Sequence, residues 1–80
     1  MEKIKLVLSQ PIKFGSEEVT ELHFRAPVAR DFRSLKIQSM SMGDLLDLAS
    51  ILSDTEKSKI DMLSAKDALK VVEIVSSFLS

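Results

Sequence analysis

The stretch from Val19 to Leu35 constrains the fold most, because the spacing of its apolar residues changes at a single proline. Before the proline, Leu22 and Phe24 alternate with polar residues, which is typical of a strand with one buried face. Pro27 cannot donate to a sheet ladder, but it fits the first turn of a helix. Apolar side chains then recur at helical spacing: Val28, Phe32 and Leu35. A strand and a helix on either side of the proline are therefore predicted to share one core.

A β-hairpin is predicted before this corner. Apolar residues alternate with lysines from Ile4 to Leu8, which indicates a first strand with one wet face. Glu17 to Arg25 is the predicted second strand. Gly15 and Ser16 mark the turn between them, because glycine tolerates the positive φ that tight hairpin turns require.

An uninterrupted pairing of the two strands would not bring their apolar faces to the same side of the hairpin. A two-residue turn pairs Ile12 with Val19 and, without a shift, places Leu8 opposite the polar His23. The apolar faces of the two strands match if one extra residue is absorbed. Either a bulge near Pro11 or a three-residue loop would absorb it.

The rest of the chain is predicted to be helical. The first helix covers Val28 to Ile37, and the second ends near Leu52. Three serines, each followed by an acidic residue three positions later, give predicted helix starts at Ser41 with Asp44, Ser53 with Glu56, and Ser64 with Asp67. The short turn before the last helix has Ile60 and Leu63 as its predicted apolar anchors. The fold class is therefore α+β, with one domain over residues 1–80: a hairpin in 1–26 and three to four short helices in 27–80.

Composition suggests that this domain has a partner. The chain has 80 residues, of which 45% are hydrophobic, and it contains no cysteine. So short a chain buries only about 60% of its unfolded surface, and spare apolar surface favours association with a partner or with itself. The residues expected to stay outside the core and bind a partner are Leu48, Ile51, Val71 and Phe78.

Other function classes have weak support. The net charge of −1 gives no global field for nucleic acid or an anionic membrane, and no apolar run approaches the ~20 residues that span a bilayer. The only histidine, His23, has no catalytic partner fixed by a motif, and Glu17, Glu18 and Glu21 lack the spacing of a calcium loop. We therefore expect no enzyme activity, no cofactor and no metal. Arg30 and Arg33 leave a small DNA-binding regulator as an alternative.

Five residues around the proline also carry a resemblance. Leu22, Arg25, Pro27, Asp31 and Leu35 are spaced as L-x-x-R-x-P-x-x-x-D-x-x-x-L, which resembles the signature of the Mu-like and P2-like phage tail assembly chaperones. That signature would have Thr or Ser at the position of Val28, where valine offers no capping hydroxyl. Arg25 and Asp31 flank the proline, and a pair between them would fix the strand-to-helix corner.

The resemblance implies a function that composition alone does not. It implies a non-catalytic chaperone that binds the phage tape measure protein before the tail tube polymerises around it. It also implies action in the cytoplasm of the bacterial host and absence from the mature virion. Helix-in-groove binding is the expected mode, and a homo-oligomer is the expected state. A structural tail subunit is the remaining alternative.

Overall fold

The computed structural model describes residues 3–33 and 40–79. Two strands come first, followed by helices, so the α+β prediction is confirmed. The elements in chain order are β1 (Lys3–Phe14), β2 (Glu17–Arg25), a 3-10 helix (Ala29–Phe32), α1 (Met42–Ser53), α2 (Lys57–Ile60) and α3 (Ala65–Leu79). Within these ranges, no helix is long and apolar enough to cross a membrane.

The turn end of the hairpin follows the sequence prediction. Ile12 pairs with Val19 and Phe14 pairs with Glu17, as a two-residue turn requires. Gly15 has φ +64°, a conformation that residues with a Cβ rarely adopt. A side chain at this position would strain the turn, so backbone geometry favours glycine here.

The irregularity in β1 is larger than predicted. Val7 pairs with Glu21 and Ile12 pairs with Val19, so residues 8–11 of β1 lie opposite Thr20 alone. β1 therefore absorbs three extra residues instead of the predicted one. Because three, like one, is an odd number, the apolar residues of β1 and β2 still face the same side of the hairpin. Leu22 therefore still points into the core.

The core forms where α1 and α3 pack on one face of the hairpin. Its buried apolar side chains come from both strands and from all three α-helices: Leu8, Ile12, Leu22, Phe24, Leu48, Ala49, Leu52, Ile60, Val71 and Val75. Ile60 is 3% exposed and Leu63 packs partly buried beside it, so the predicted anchors of the turn before α3 are confirmed. The opposite face of the hairpin is exposed at Lys5 and Val7.

The segment after Pro27 differs from the predicted helix. The helical turn at Ala29–Phe32 is a 3-10 helix, and residues 34–37 lie outside the described residues. Val28 is extended, at φ −120° and ψ 168°, and its side chain is 43% exposed, so its predicted core position is wrong. Pro27 therefore precedes the N-cap instead of occupying the first turn. Phe32 does pack partly buried against the core.

Two of the three predicted helix starts are present. Ser41 Oγ accepts from Asp44 N at 3.2 Å, and Asp44 Oδ2 accepts from Ser41 N at 3.0 Å, a complete capping box. Ser64 Oγ accepts from Asp67 N at 3.2 Å at the start of α3.

The start predicted at Ser53 is wrong. Ser53 is the last residue of α1, and its hydroxyl donates to the Ala49 carbonyl at 2.7 Å. Asp54 then takes a left-handed conformation at φ 52°, which ends the helix without glycine. The polar cluster at this point therefore terminates α1, and α2 begins at Lys57.

The short helix α2 is tied to the hairpin turn. Lys59 Nζ donates to Glu17 Oε2 at 2.7 Å, and the same ammonium lies 5.8 Å from the centre of the Phe14 ring. The Lys59 side chain is only 14% exposed, because its stem packs while its charge reaches the carboxylate. This contact positions α2 against the turn end of the sheet.

Candidate functional site

A bidentate ion pair closes the strand-to-helix corner. Arg25 Nη1 donates to Asp31 Oδ2 at 2.8 Å, and Arg25 Nη2 donates to Asp31 Oδ1 at 2.9 Å. The Asp31 side chain is 3% exposed and that of Arg25 is 34% exposed, so the carboxylate is buried while the guanidinium reaches water. The two residues that the resemblance places on either side of Pro27 therefore contact each other. Leu35, the last residue of that signature, lies outside the described residues.

Asp31 also supplies one half of a capping box, although Val28 has no hydroxyl to supply the other half. Its Oδ2 accepts from the Val28 amide at 2.8 Å, which satisfies a backbone donor at the start of the 3-10 helix. The hydrogen bond from Arg25, followed by the one from the Val28 amide, lowers the pKa of Asp31 to about 2. The carboxylate is therefore charged at neutral pH, and it fixes the corner through both contacts.

A second buried carboxylate joins α3 to β1. Asp67 is 0% exposed. Ser9 N donates to Asp67 Oδ1 at 3.0 Å and to Oδ2 at 3.1 Å, Ser9 Oγ donates to Oδ1 at 3.0 Å, and Gln10 N donates to Oδ2 at 3.2 Å. Asp67 therefore satisfies backbone donors in the segment where β1 leaves its ladder with β2.

The charge of Asp67 depends on these donors. Burial by itself raises the pKa of the Asp67 carboxyl, because it disfavours the charged form. The hydrogen bonds from the Ser9 and Gln10 amides and from the hydroxyls of Ser9 and Ser64 outweigh burial, so the pKa is lowered. Asp67 is therefore an ionised group inside the core, compensated by hydrogen bonds.

The four residues expected to bind a partner divide into two groups. Leu48 and Val71 are 0% exposed, so the expectation that their helices leave them outside the core is wrong. The reason is that α1 and α3 pack on each other and on the hairpin. Each helix therefore buries a wider apolar surface than its own sequence pattern indicates. Ile51 is 37% exposed, and Phe78 is half-buried against the core. Ile51 is therefore the member of the set that a partner can reach directly.

Ile51 borders a cleft between the end of α1 and the open end of the hairpin. The cleft has a volume of about 370 Å³. Lys3, His23 and Arg25 line it from the hairpin, and Ile51 and Asp54 line it from α1. Apolar surface thus lies beside charges of both signs, an arrangement suited to an amphipathic protein segment.

A second groove lies between β1 and α3. It has a volume of about 380 Å³, with Leu6 and Ile74 as its apolar walls and Lys70 and Glu73 at its rim. No residue predicted to bind a partner lines this groove.

The residues considered as candidates for catalysis, metal binding or DNA binding are exposed. His23 Nε2 lies 3.0 Å from Glu21 Oε1, and both side chains are about half in solvent, at 51% and 41% exposed. Over residues 3–33 and 40–79, no three His, Cys, Asp or Glu residues form a group able to hold a metal ion. Arg30 and Arg33 are exposed near the 3-10 helix, whereas the guanidinium of Arg25 is committed to Asp31.

Sequence reasoning missed the role of Asp67. It treated this residue as part of a helix start, although Asp67 lies one turn before the buried Val71 on the same helix face. A carboxylate on the apolar face of a helix is a detectable signal, because such a group needs donors from another element. The sequence does not indicate that these donors come from Ser9 and Gln10, more than fifty residues away.

A comparison with protein families identifies the family of this chain. Residues 5–80 match the model of the family described as phage tail assembly chaperone proteins, E, or 41 or 14. The chain therefore belongs to the phage tail assembly chaperone family, as the spacing around Pro27 predicted. Comparisons with curated proteins and with solved structures gave no significant match.

Proposed function

We propose that this protein binds the tape measure protein during phage tail morphogenesis and keeps it soluble, without catalysing a reaction. The observation that carries this proposal is the family match over residues 5–80. A tape measure protein contains long helices that remain exposed until the tail tube encloses them. A chaperone for such helices needs apolar surface bordered by charges and has no need of a reactive group.

We place the contact at the cleft bordered by Ile51. Its branched side chain is 37% exposed next to Lys3 and Asp54, so it can insert between apolar residues of a helix while these two charges meet that helix's polar flanks. Leu48 and Val71 are core residues and do not line the cleft. Phe78 lies on α3, away from the cleft lining, and takes no direct part.

The effect of Ile51→Glu on tape measure solubility tests this site. When both proteins are co-expressed, we expect the wild-type chain to bring the tape measure into the soluble fraction and Ile51→Glu to reduce that soluble fraction at least about tenfold. A carboxylate in an apolar contact should weaken binding by at least about 1.4 kcal/mol, which corresponds to a tenfold loss of affinity.

Leu69→Glu is the matched control. Leu69 is 61% exposed on α3 and does not line the cleft, so the same change of chemistry there should leave rescue intact. Both variants should give the wild-type circular dichroism spectrum. Equal rescue by Ile51→Glu and wild type would place the contact elsewhere, and no rescue by the wild type would contradict the function itself.

We also propose that the protein acts in the cytoplasm of the bacterial host and leaves before the tail is complete. Mass spectrometry of purified phage or prophage-derived particles should therefore detect the tape measure and tube proteins but not this chain. Its presence at a fixed ratio to the tube protein would instead indicate a structural tail subunit.

Self-association is a further part of the proposal. Large apolar side chains are exposed on separate parts of the described surface, including Val7 at 61%, Met62 at 53% and Leu69 at 61%. We expect sedimentation velocity at micromolar concentrations to show a species of at least twice the 8.9 kDa monomer mass. A single monomer boundary that does not depend on concentration would remove this part and leave tape measure binding unaffected.

A further inference from the structure

The apolar pattern of the hairpin does not by itself determine the register of β1. With the turn end fixed, the apolar residues of the two strands face the same side whenever β1 absorbs an odd number of extra residues. One extra residue would place Leu8 opposite Leu22, whereas the observed three place Leu6 there. Both arrangements keep lysines outside and leucines inside, so another interaction must choose between them.

Sheet hydrogen bonding does not explain the observed choice. In the register with one extra residue, Leu8 and Ser9 would join the ladder, with Ser9 opposite Glu21. The hairpin would then contain an ordinary bulge, in which two residues oppose one, near Pro11. In the observed register, the segment 8–11 lies outside the ladder instead.

The observed register is the one that supplies donors to Asp67. Because Ser9 and Gln10 lie outside the ladder, their amides and the Ser9 hydroxyl donate to the Asp67 carboxylate at 3.0–3.2 Å. In the alternative register Ser9 would lie opposite Glu21 as part of the ladder, so its amide would no longer be placed to donate to Asp67. The carboxylate, which is 0% exposed, would then be charged inside the core without its donors from β1.

We propose that Asp67 is a register lock, a side chain of the last helix that selects the pairing of the first strand. The hairpin cannot complete its native pairing until α3 docks, so a distant helix controls the register. The lock also determines which leucine faces the groove between β1 and α3. In the native register Leu6 and Ile74 form its walls, and a two-residue slip would bring Leu8 to the position of Leu6.

The cross-strand contacts of Asp67→Asn test the lock. Nuclear Overhauser contacts in the wild type should join Ile4 to Phe24 and Leu6 to Leu22. Asparagine has nearly the same shape, but it lacks the charge and turns an NH₂ group toward the donors. We expect its contacts to shift by two residues, joining Leu6 to Phe24 and Leu8 to Leu22.

Ser64→Ala is the control. It removes a hydroxyl that caps α3 and hydrogen-bonds Asp67, but Ser64 does not belong to β1, and the donors from Ser9 and Gln10 stay in place, so the variant should weaken α3 and keep the native contacts. If Asp67→Asn does not fold, the same contacts are read in Ser9→Ala, which removes one donor and should show the slipped register as a second set of signals. Native contacts alone in a folded Asp67→Asn, or in Ser9→Ala where that substitution is needed, would overturn the lock.

Discussion

Leu48→Ala is expected to lower the free energy of unfolding by about 2–5 kcal/mol, the usual cost of a cavity left by a buried leucine. Leu48 is 0% exposed, and it packs in the same cluster as Phe24 and Val75. A chain of 80 residues has a total stability of only about 4–12 kcal/mol. The substitution should therefore remove a large share of the stability, as measured by urea titration followed by circular dichroism.

Ile51→Ala is the matched comparison, because it shortens an aliphatic side chain one turn away on the same helix. Ile51 is 37% exposed, so we expect a loss of about 1 kcal/mol or less. Equal losses for the two variants would mean that α1 does not present Leu48 to the core and Ile51 to the cleft.

Asp31→Ala is expected to destabilise the protein by about 2–3 kcal/mol, because it removes both the bidentate pair with Arg25 and the hydrogen bond to the Val28 amide. The loss stays within this range because the Arg25 side chain is 34% exposed and can be hydrated after the substitution. Urea titration at pH 7 measures it. Arg30→Ala is the control, since Arg30 is exposed near the same turn, and a comparable loss there would contradict a specific role for Asp31.

The Asp31 carboxylate should also make the free energy of unfolding fall at low pH. The pKa of Asp31 is lowered from its usual 3.8 to about 2 in the folded protein, so the unfolded state binds the proton more readily. The resulting stability, on the order of 2 kcal/mol, is fully present above about pH 5 and is lost as the pH falls through about 2.

The difference in stability between wild type and Asp31→Asn should shrink over that interval in urea titrations at a series of pH values. Some acid sensitivity will remain in the variant, because the pKa of Asp67 is also lowered. A stability difference that stays constant from pH 7 to pH 2 would contradict an ionised Asp31 at the corner.

The predictable parts of this fold depend on local patterns. The alternation at Leu22 and Phe24, the glycine turn and the Ser41 cap are each determined by neighbouring residues, and all three are present. The resemblance around Pro27 indicated the family through the order and spacing of five residues, and the family match over residues 5–80 confirms it.

The parts that could not be predicted depend on contacts between distant elements. Leu48 and Ile51 are both apolar residues beside the helix stripe, and only the packing of the hairpin on α1 buries one and exposes the other. The three-residue irregularity in β1 depends on Asp67, 58 positions after Ser9. Polar clusters are also ambiguous: Ser53 and Asp54 end a helix, although the same residue types often begin one.

Hydrogen exchange of the chaperone, alone and in complex with the tape measure protein, tests the central claim most directly. We predict that the complex slows amide exchange from Ile51 to Thr55, at the end of α1 and just after it, and at His23 across the cleft. The exposed residues near the 3-10 helix, Arg30 and Arg33, should exchange at unchanged rates. Slowing confined to Arg30 and Arg33, or no slowing anywhere with a soluble tape measure protein present, would contradict binding at the Ile51 cleft.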